Sequence, residues 1–234
     1  MYRILSISLF LLACGAPLGL SILPIGGERI AHHEPCTKKK AYCLCDKLGE
    51  DVAPPNAEAL QAAIEARATA AALGEGWDKD LLTFIDFDLP STEPRLWVFD
   101  LDSEELLYCT HVAHGKHSGG LWARNFSNVP QSYQSSLGLF ATGEVYTGKH
   151  GLSLYLEGLE EDVNDKARER YIVMHGADYV SEAFAKMHGR MGRSLGCPAI
   201  PEEDVAEIIP LIAGGSCLYI HHSSRLGAAL SEAQ

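Results

Sequence analysis

Leu81-Leu-Thr-Phe-Ile-Asp-Phe87, Arg95-Leu-Trp-Val-Phe-Asp-Leu101 and Leu106-Leu-Tyr-Cys-Thr-His-Val-Ala113 are three short runs rich in Leu, Val, Phe and Trp. Pro90, Pro94 and the pair Asp102-Ser103 stand between them as turn signals, so each run predicts a strand. The same texture continues at 140–146, 153–156 and 171–174, and residues 217–221 close the series. Helical patches are few. An Ala-rich stretch at 56–73 has Asn56 as N-cap and Gly74 as stop. A second lies at 180–187, behind possible caps at Asp178 and Ser181. A third covers 201–212, where Pro201 suits a first turn and Glu202, Glu203 and Asp204 favour the positive helix end. Pro210 is expected to bend or shorten it. The pattern predicts a mostly-β (α+β) domain, a sandwich or barrel with a few short helices and an N-terminal helix.

The chain has 234 residues, of which 47% are hydrophobic and 21% charged, as expected for one globular domain with an extension and not for a disordered or multi-span membrane protein. Nineteen Lys and Arg against 31 Asp and Glu give −12, which argues against nucleic acid, whose phosphates need clustered cations. A small-molecule or peptide substrate is compatible with this balance.

Met1-Tyr2-Arg3 followed by the apolar run 4–13 has the pattern of a secretory signal and is too short to span a bilayer. Leu11-Leu-Ala-Cys14 resembles a bacterial lipobox, which implies a lipidated Cys14 and membrane attachment; an ordinary cleaved signal is the alternative. Residues 1–17 are therefore expected to be a signal and 18–55 a cysteine-bearing linker. The domain is expected at 56–227, with a tail at 228–234. Export to the periplasm or outer envelope is the expected address. Of the seven cysteines, Cys36, Cys43 and Cys45, with His32 and His33 upstream, lack the repeated spacing of a zinc site, so disulfides or an exposed thiol are favoured. Cys109 and Cys217 lie in apolar runs and read as buried or mutually paired.

The stretch 114–138 is rich in Ser, Gly, Asn and Gln but carries Trp122, Phe126 and Tyr133, which favours an ordered flap or groove wall. His175 ends an apolar run and precedes Gly176, so its imidazole is offered where the chain leaves the sheet. Cys197 follows Gly196, whose missing side chain lets a substrate carbonyl approach the amides of Leu195, Gly196 and Cys197. Arg193 adds positive potential and could grip a carboxylate. Nucleophile, base and oxyanion donors for acyl transfer are thus present. On pattern alone, a buried thiol and an inert strand-end histidine fit equally well. His114, His117 and His150 flank the loop and the glycine-rich turns, as solvated turn residues or substrate contacts. His188 reads as surface, His221 and His222 as a terminal strand edge, and 157–165 as a solvated acidic turn.

His175-Gly176 followed by Ser194-Leu195-Gly196-Cys197 resembles the signature of the YkuD-like L,D-transpeptidases, the murein L,D-transpeptidase catalytic domain family. Further matching segments are Arg95-Leu-Trp-Val-Phe-Asp100, Val112-Ala-His-Gly-Lys116, Phe126-Ser-Asn128, Ser132-Tyr-Gln-Ser-Ser136, Gly148-Lys-His-Gly151 and Ala167-Arg-Glu-Arg170. Together they span roughly 83–220. Leu195 stands where the family usually has histidine, and Pro198-Ala199 follow the cysteine. The resemblance implies a β-sandwich with Cys197 as nucleophile, His175 as base, and Ser194, Leu195, Gly196, Gly176 and Arg193 around the site. It implies attack on a peptidoglycan stem peptide between diaminopimelate and D-Ala, a thioester, and transfer to an amine. It also implies carbapenem acylation of the thiol. Water as acceptor would give an L,D-carboxypeptidase, and loss of turnover a murein-binding module. No metal or cofactor is called for, because amides and imidazole supply the electrostatics.

Overall fold

The computed structural model describes residues 40–225. The expected signal with Cys14, the linker up to 39 with His32, His33 and Cys36, and the tail at 228–234 lie outside the described residues. Among the described residues no helix is long and apolar enough to cross a membrane.

Helix α1 (Lys40–Asp46) lies inside the stretch expected to be linker and corrects that boundary. Its seven residues are too few to display a hydrophobic period. Even so, Ala41, Cys43 and Leu44 are buried in one cluster with Leu60 and Ala63 of α2 (Ala57–Ala72). Cys43 is disulfide-bonded. Helix α2 begins where Asn56 Oδ1 accepts the N–H groups of Glu58 and Ala59, both at 3.0 Å, satisfying two of the donors a helix start leaves open. Cys109 and Cys217 are each free, so of the two readings the sequence left open, mutual pairing is the one that falls.

Eight strands follow: β1 (Leu81–Asp86), β2 (Leu96–Asp100), β3 (Glu105–Thr110), β4 (Gly138–Gly148), β5 (Gly151–Gly158), β6 (Val173–Gly176), β7 (Ala199–Ile200) and β8 (Cys217–His221). Helix α3 (Glu182–His188) joins β6 to β7, and a short 3-10 turn leads into α4 (Val205–Ile212) before β8. Pro210 falls in the last turn of α4. All eight strands form one sheet in the order β3-β2-β1-β8-β4-β5-β6-β7, with β1–β8 and β6–β7 parallel and the other pairs antiparallel. The last strand in sequence is thus central in the sheet, and the reading of His221 as a strand-edge residue is corrected. His221 is buried and its Nε2 lies 3.2 Å from Asp88.

Period-two alternation divides the sheet's side chains between two cores. Leu82, Phe84, Trp97, Phe99 and Tyr219 face α1 and α2. Ile85, Leu96, Val98, Leu218 and Ile220 share the other core with Leu154 and Met174 from the far strands and Ile208, Ile209 and Ile212 from α4. Residues so far apart in strand order share one core because the sheet curls. Its two ends meet: Ala113, just past β3, bridges Ala199 of β7, with N–H···O distances of 2.8 and 3.4 Å.

Arg95 holds this closure from beneath. It is fully buried and donates from Nε and Nη2 to the Val112 carbonyl (3.0 and 2.8 Å) and from Nη1 to that of Leu89 (2.8 Å). Its Nη2 also meets His114 Nδ1 at 2.9 Å. A guanidinium only donates, so Nδ1 accepts and the His114 proton sits on Nε2. Burial first, then the Arg95 charge, push the His114 pKa down to about 3, so it is neutral at physiological pH. His114 is completely buried, which corrects its reading as a turn residue. Burial also pushes the Arg95 pKa down to about 9, which leaves it charged at neutral pH. Replacing Arg95 with Met strands the Val112 and Leu89 carbonyls, and urea unfolding is expected to show a loss of about 3–5 kcal/mol. A loss below ~1 kcal/mol would show that the guanidinium is not what holds the closure.

Candidate active site

Parallel pairing of β6 with β7 sets His175 opposite Ala199. Two residues earlier on each chain, the Val173 N–H donates to Cys197 Sγ at 3.5 Å, and the thiol lies 3.6 Å from the Tyr171 carbonyl. Cys197 and His175 line one cavity of about 760 Å³. The His175 side of the pair is fixed by Nδ1, 2.8 Å from the Gly176 carbonyl. A carbonyl only accepts, so Nδ1 carries the proton and the neutral ring keeps a free lone pair on Nε2.

Burial holds the His175 pKa below the ordinary imidazole range, and His150 adds to this, against the Gly176 bond. Burial likewise raises the Cys197 pKa, while the Val173 N–H and the Arg170 charge pull it back. The resting pair is therefore neutral thiol and neutral imidazole. An imidazole in this state can take the thiol proton as the sulfur attacks.

The cavity wall opposite is the 114–138 segment, ordered as the aromatics suggested, with Pro130, Gln131 and Tyr133 on the cavity. Ser135 ties it to the loop bearing Cys197: its Oγ accepts from Gly115 N–H and donates to the Gly196 carbonyl, both at 3.0 Å. Glycine is required at both crossing points. A Cβ on Gly196, at φ +127, would lie 2.8 Å from the Gln134 carbonyl oxygen, and one on Gly115 would lie 2.9 Å from Gly196 Cα. Arg170 clamps the same wall, donating at 2.6 Å to the carbonyls of Ser127 and Gln134 and also bonding Ser136 and Ser132. Gln131, Tyr133 and Tyr171, all on the cavity, have φ of +60, +55 and +53. Strained backbone of this kind concentrates at functional sites.

The other expected site residues divide by role. Ser194 lines the cavity but spends its hydroxyl on the loop, donating to the Cys197 carbonyl at 2.6 Å and accepting from Gly196 N–H at 3.1 Å. That second bond corrects one expectation: the Gly196 amide is committed, and the N–H groups of Leu195 and Cys197 are the ones left for an oxyanion. Leu195 sits on the rim, 58% exposed. Gly176 and Gly196 are buried behind the wall and act through their backbones. Arg193 lines the cavity, with Nη1 bonding the carbonyls of Lys116 (3.3 Å) and Gly119 (3.0 Å). The positive charge acting on the sulfur, however, is that of Arg170 and not the expected one of Arg193. In the sequence Arg170 appeared only as part of a matching segment, because nothing local links it to a cysteine 27 positions away. His188 is exposed at the end of α3.

A family model for the L,D-transpeptidase catalytic domain matches residues 53–221. The chain belongs to this family. No curated protein matches it in sequence. Similar solved structures include an L,D-transpeptidase from Mycobacterium smegmatis (12% identity, 62% of this chain and 59% of that one, TM-score 0.38). L,D-transpeptidase 3 from Mycobacterium tuberculosis is 6% identical, covering 62% of each chain, with a TM-score of 0.38. The helical cell shape determining protein Pgp2 from Campylobacter jejuni is 9% identical, covering 68% of this chain and 56% of that one, with a TM-score of 0.42. The chain thus spans about three-fifths of the length of these proteins.

For this L,D-transpeptidase domain, a neutral resting pair makes a distinct prediction. Iodoacetamide alkylation of Cys197 is expected to accelerate with pH well into the alkaline range, with no plateau at acidic pH. A rate that stays flat down to pH 5 would reveal a preformed thiolate–imidazolium pair instead. Arg170→Gln is expected to move this alkylation profile to higher pH and slow the reaction at neutral pH by about tenfold. Arg170→Lys, which keeps a charge there, should retain most of the rate.

Proposed function

We propose that the chain is a cysteine-dependent acyltransferase acting on peptidoglycan stem peptides, the substrates of its family. The observation that carries this reading is the Cys197–His175 arrangement: both line one cavity, and the His175 proton is tied to Gly176 so that Nε2 is the basic atom. As Sγ of Cys197 attacks the carbonyl of the diaminopimelate–D-Ala bond, Nε2 of His175 takes the thiol proton. The oxyanion draws on the Leu195 and Cys197 N–H groups. Collapse breaks the C–N bond, and the imidazolium returns its proton to the leaving D-Ala amine, leaving a thioester on Cys197. An acceptor amine then attacks the thioester, losing its proton to His175, and the thiol is restored as the new amide forms.

Charge supports an anionic peptide as substrate. The whole chain carries −12, yet Lys149, Arg170 and Arg193 line this cavity against Glu169 alone. Cations gathered in a cleft attract carboxylates and hold them by charge-assisted bonds.

Purified protein incubated with disaccharide tetrapeptides is expected to yield cross-linked dimers with release of D-Ala, read by mass spectrometry. Tripeptide and free D-Ala without dimers would make water the acceptor and the protein a carboxypeptidase. Cys197→Ser is expected to lower turnover by about a thousandfold or more, and a variant with full turnover would overturn the mechanism.

A further inference from the structure

The sequence offers His150 as a solvated turn residue or a substrate contact, and the acyl-transfer steps above do not use it. In the fold it occupies a defined place. Strands β4 and β5 form a hairpin in which Gly148 pairs with Gly151, so Lys149 and His150 are its two-residue turn, with Gly151 at φ +73. Ser153 of β5 pairs with His175 of β6, which fixes the hairpin tip beside the candidate base. The His150 ring lies on the His175 ring with centroids 4.5 Å apart and planes 25° from parallel. His150 is itself exposed, whereas His175 beneath it is 3% exposed. Below the turn, Tyr146 and Tyr155 stack at 4.4 Å, and the Arg168 guanidinium lies 3.6 Å from the Tyr155 ring centroid, bracing the two strands.

The Nδ1 bond to Gly176 fixes one end of the His175 ring, but a single hydrogen bond leaves the ring free to rock about it. A flat partner against its face removes that freedom. We propose that His150 is a positioning residue for His175: delivered by the β4–β5 turn, its ring holds the imidazole with Nε2 toward the cavity and shields the open face from bulk water. The proposal rests on the reading of His175 as the base. Stacking two neutral imidazoles is favourable, whereas two imidazolium ions would repel. The roof therefore also favours the neutral, basic form of His175. The other titratable groups around the pair are Lys149 on the turn, Tyr146 on β4, Tyr133 on the facing wall, Glu169, Arg170 and Tyr171 ahead of β6, Tyr179 after it, and Cys197 and Arg193 on the Cys197 loop.

The test compares His150→Ala, which removes the ring, with His150→Phe, which keeps a flat face without ring nitrogens. Two readouts are used: tetrapeptide turnover against pH, and NMR titration of the His175 Cε1–H signal, assigned by its loss in His175→Gln. His150→Ala is expected to lower kcat by about tenfold with KM nearly unchanged, as for a misoriented base. It is also expected to raise the pH at which His175 titrates, because water reaches the ring. His150→Phe should keep kcat within about twofold of the parent, since the flat face remains. An Ala variant with the parent's kcat and the parent's His175 titration overturns the proposal. So does a Phe variant as impaired as Ala. If His175→Gln retains full turnover, the acyl-transfer reading fails and the assigned role falls with it. If no variant or parent turns over, the titration alone decides whether His150 covers His175.

Discussion

The meeting of the two ends of the sheet, where Ala113 bridges Ala199, is the contact on which the site is built. Without it β7 would be a two-residue strand held only by β6, and the loop bearing Cys197 would leave the sheet without a second support. With it, the segment after β3 runs alongside that loop. The Lys116 N–H reaches the Ser194 carbonyl and the Ser194 N–H reaches the His114 carbonyl. The buried Arg95 anchors that segment by its own carbonyls, so a charge deep in the core stiffens the wall of a cavity it does not touch. A buried guanidinium is costly to desolvate, and its cost is offset here only because every bond it makes is to a fixed acceptor.

The cavity combines burial around Cys197 and His175 with positive charge from Lys149, Arg170 and Arg193. Burial keeps both members of the Cys197–His175 pair neutral, while Arg170 sets a cation close enough to favour the thiolate when the proton leaves. The same Arg170 holds the opposite wall through carbonyls and serine hydroxyls. One side chain thereby couples the shape of the groove to the reactivity of the sulfur. Left-handed backbone at Gln131, Tyr133 and Tyr171 costs on the order of 1–3 kcal/mol per residue and persists only because these anchors over-determine the wall.

Much of this was legible in the chain. Strand runs at 81–87 and 217–221 reappear as β1 and β8, since short apolar runs bounded by turn signals leave few other solutions. Cys197 and His175 stood out because a thiol after glycine and an imidazole before glycine are placed by local backbone freedom. Features that depend on distant partners did not stand out. Helix α1 and β7 are too short for periodicity, and they exist because α2 and the closing segment cover them. His114 resembled a loop histidine, since nothing near it in sequence announces Arg95. The Gly196 amide looked available, because only the folded loop turns the Ser194 hydroxyl onto it.

The sequence by itself therefore determined the mostly-β class and the family, and singled out Cys197 and His175, the residues proposed as nucleophile and base, all of which follow from local pattern and motif. Tertiary structure decided which charge faces the sulfur, which amides stay free, and which ring lies against His175. Those depend on Arg170, Ser194 and His150 arriving from separate elements, and no local propensity encodes where a curled sheet will bring its edges together.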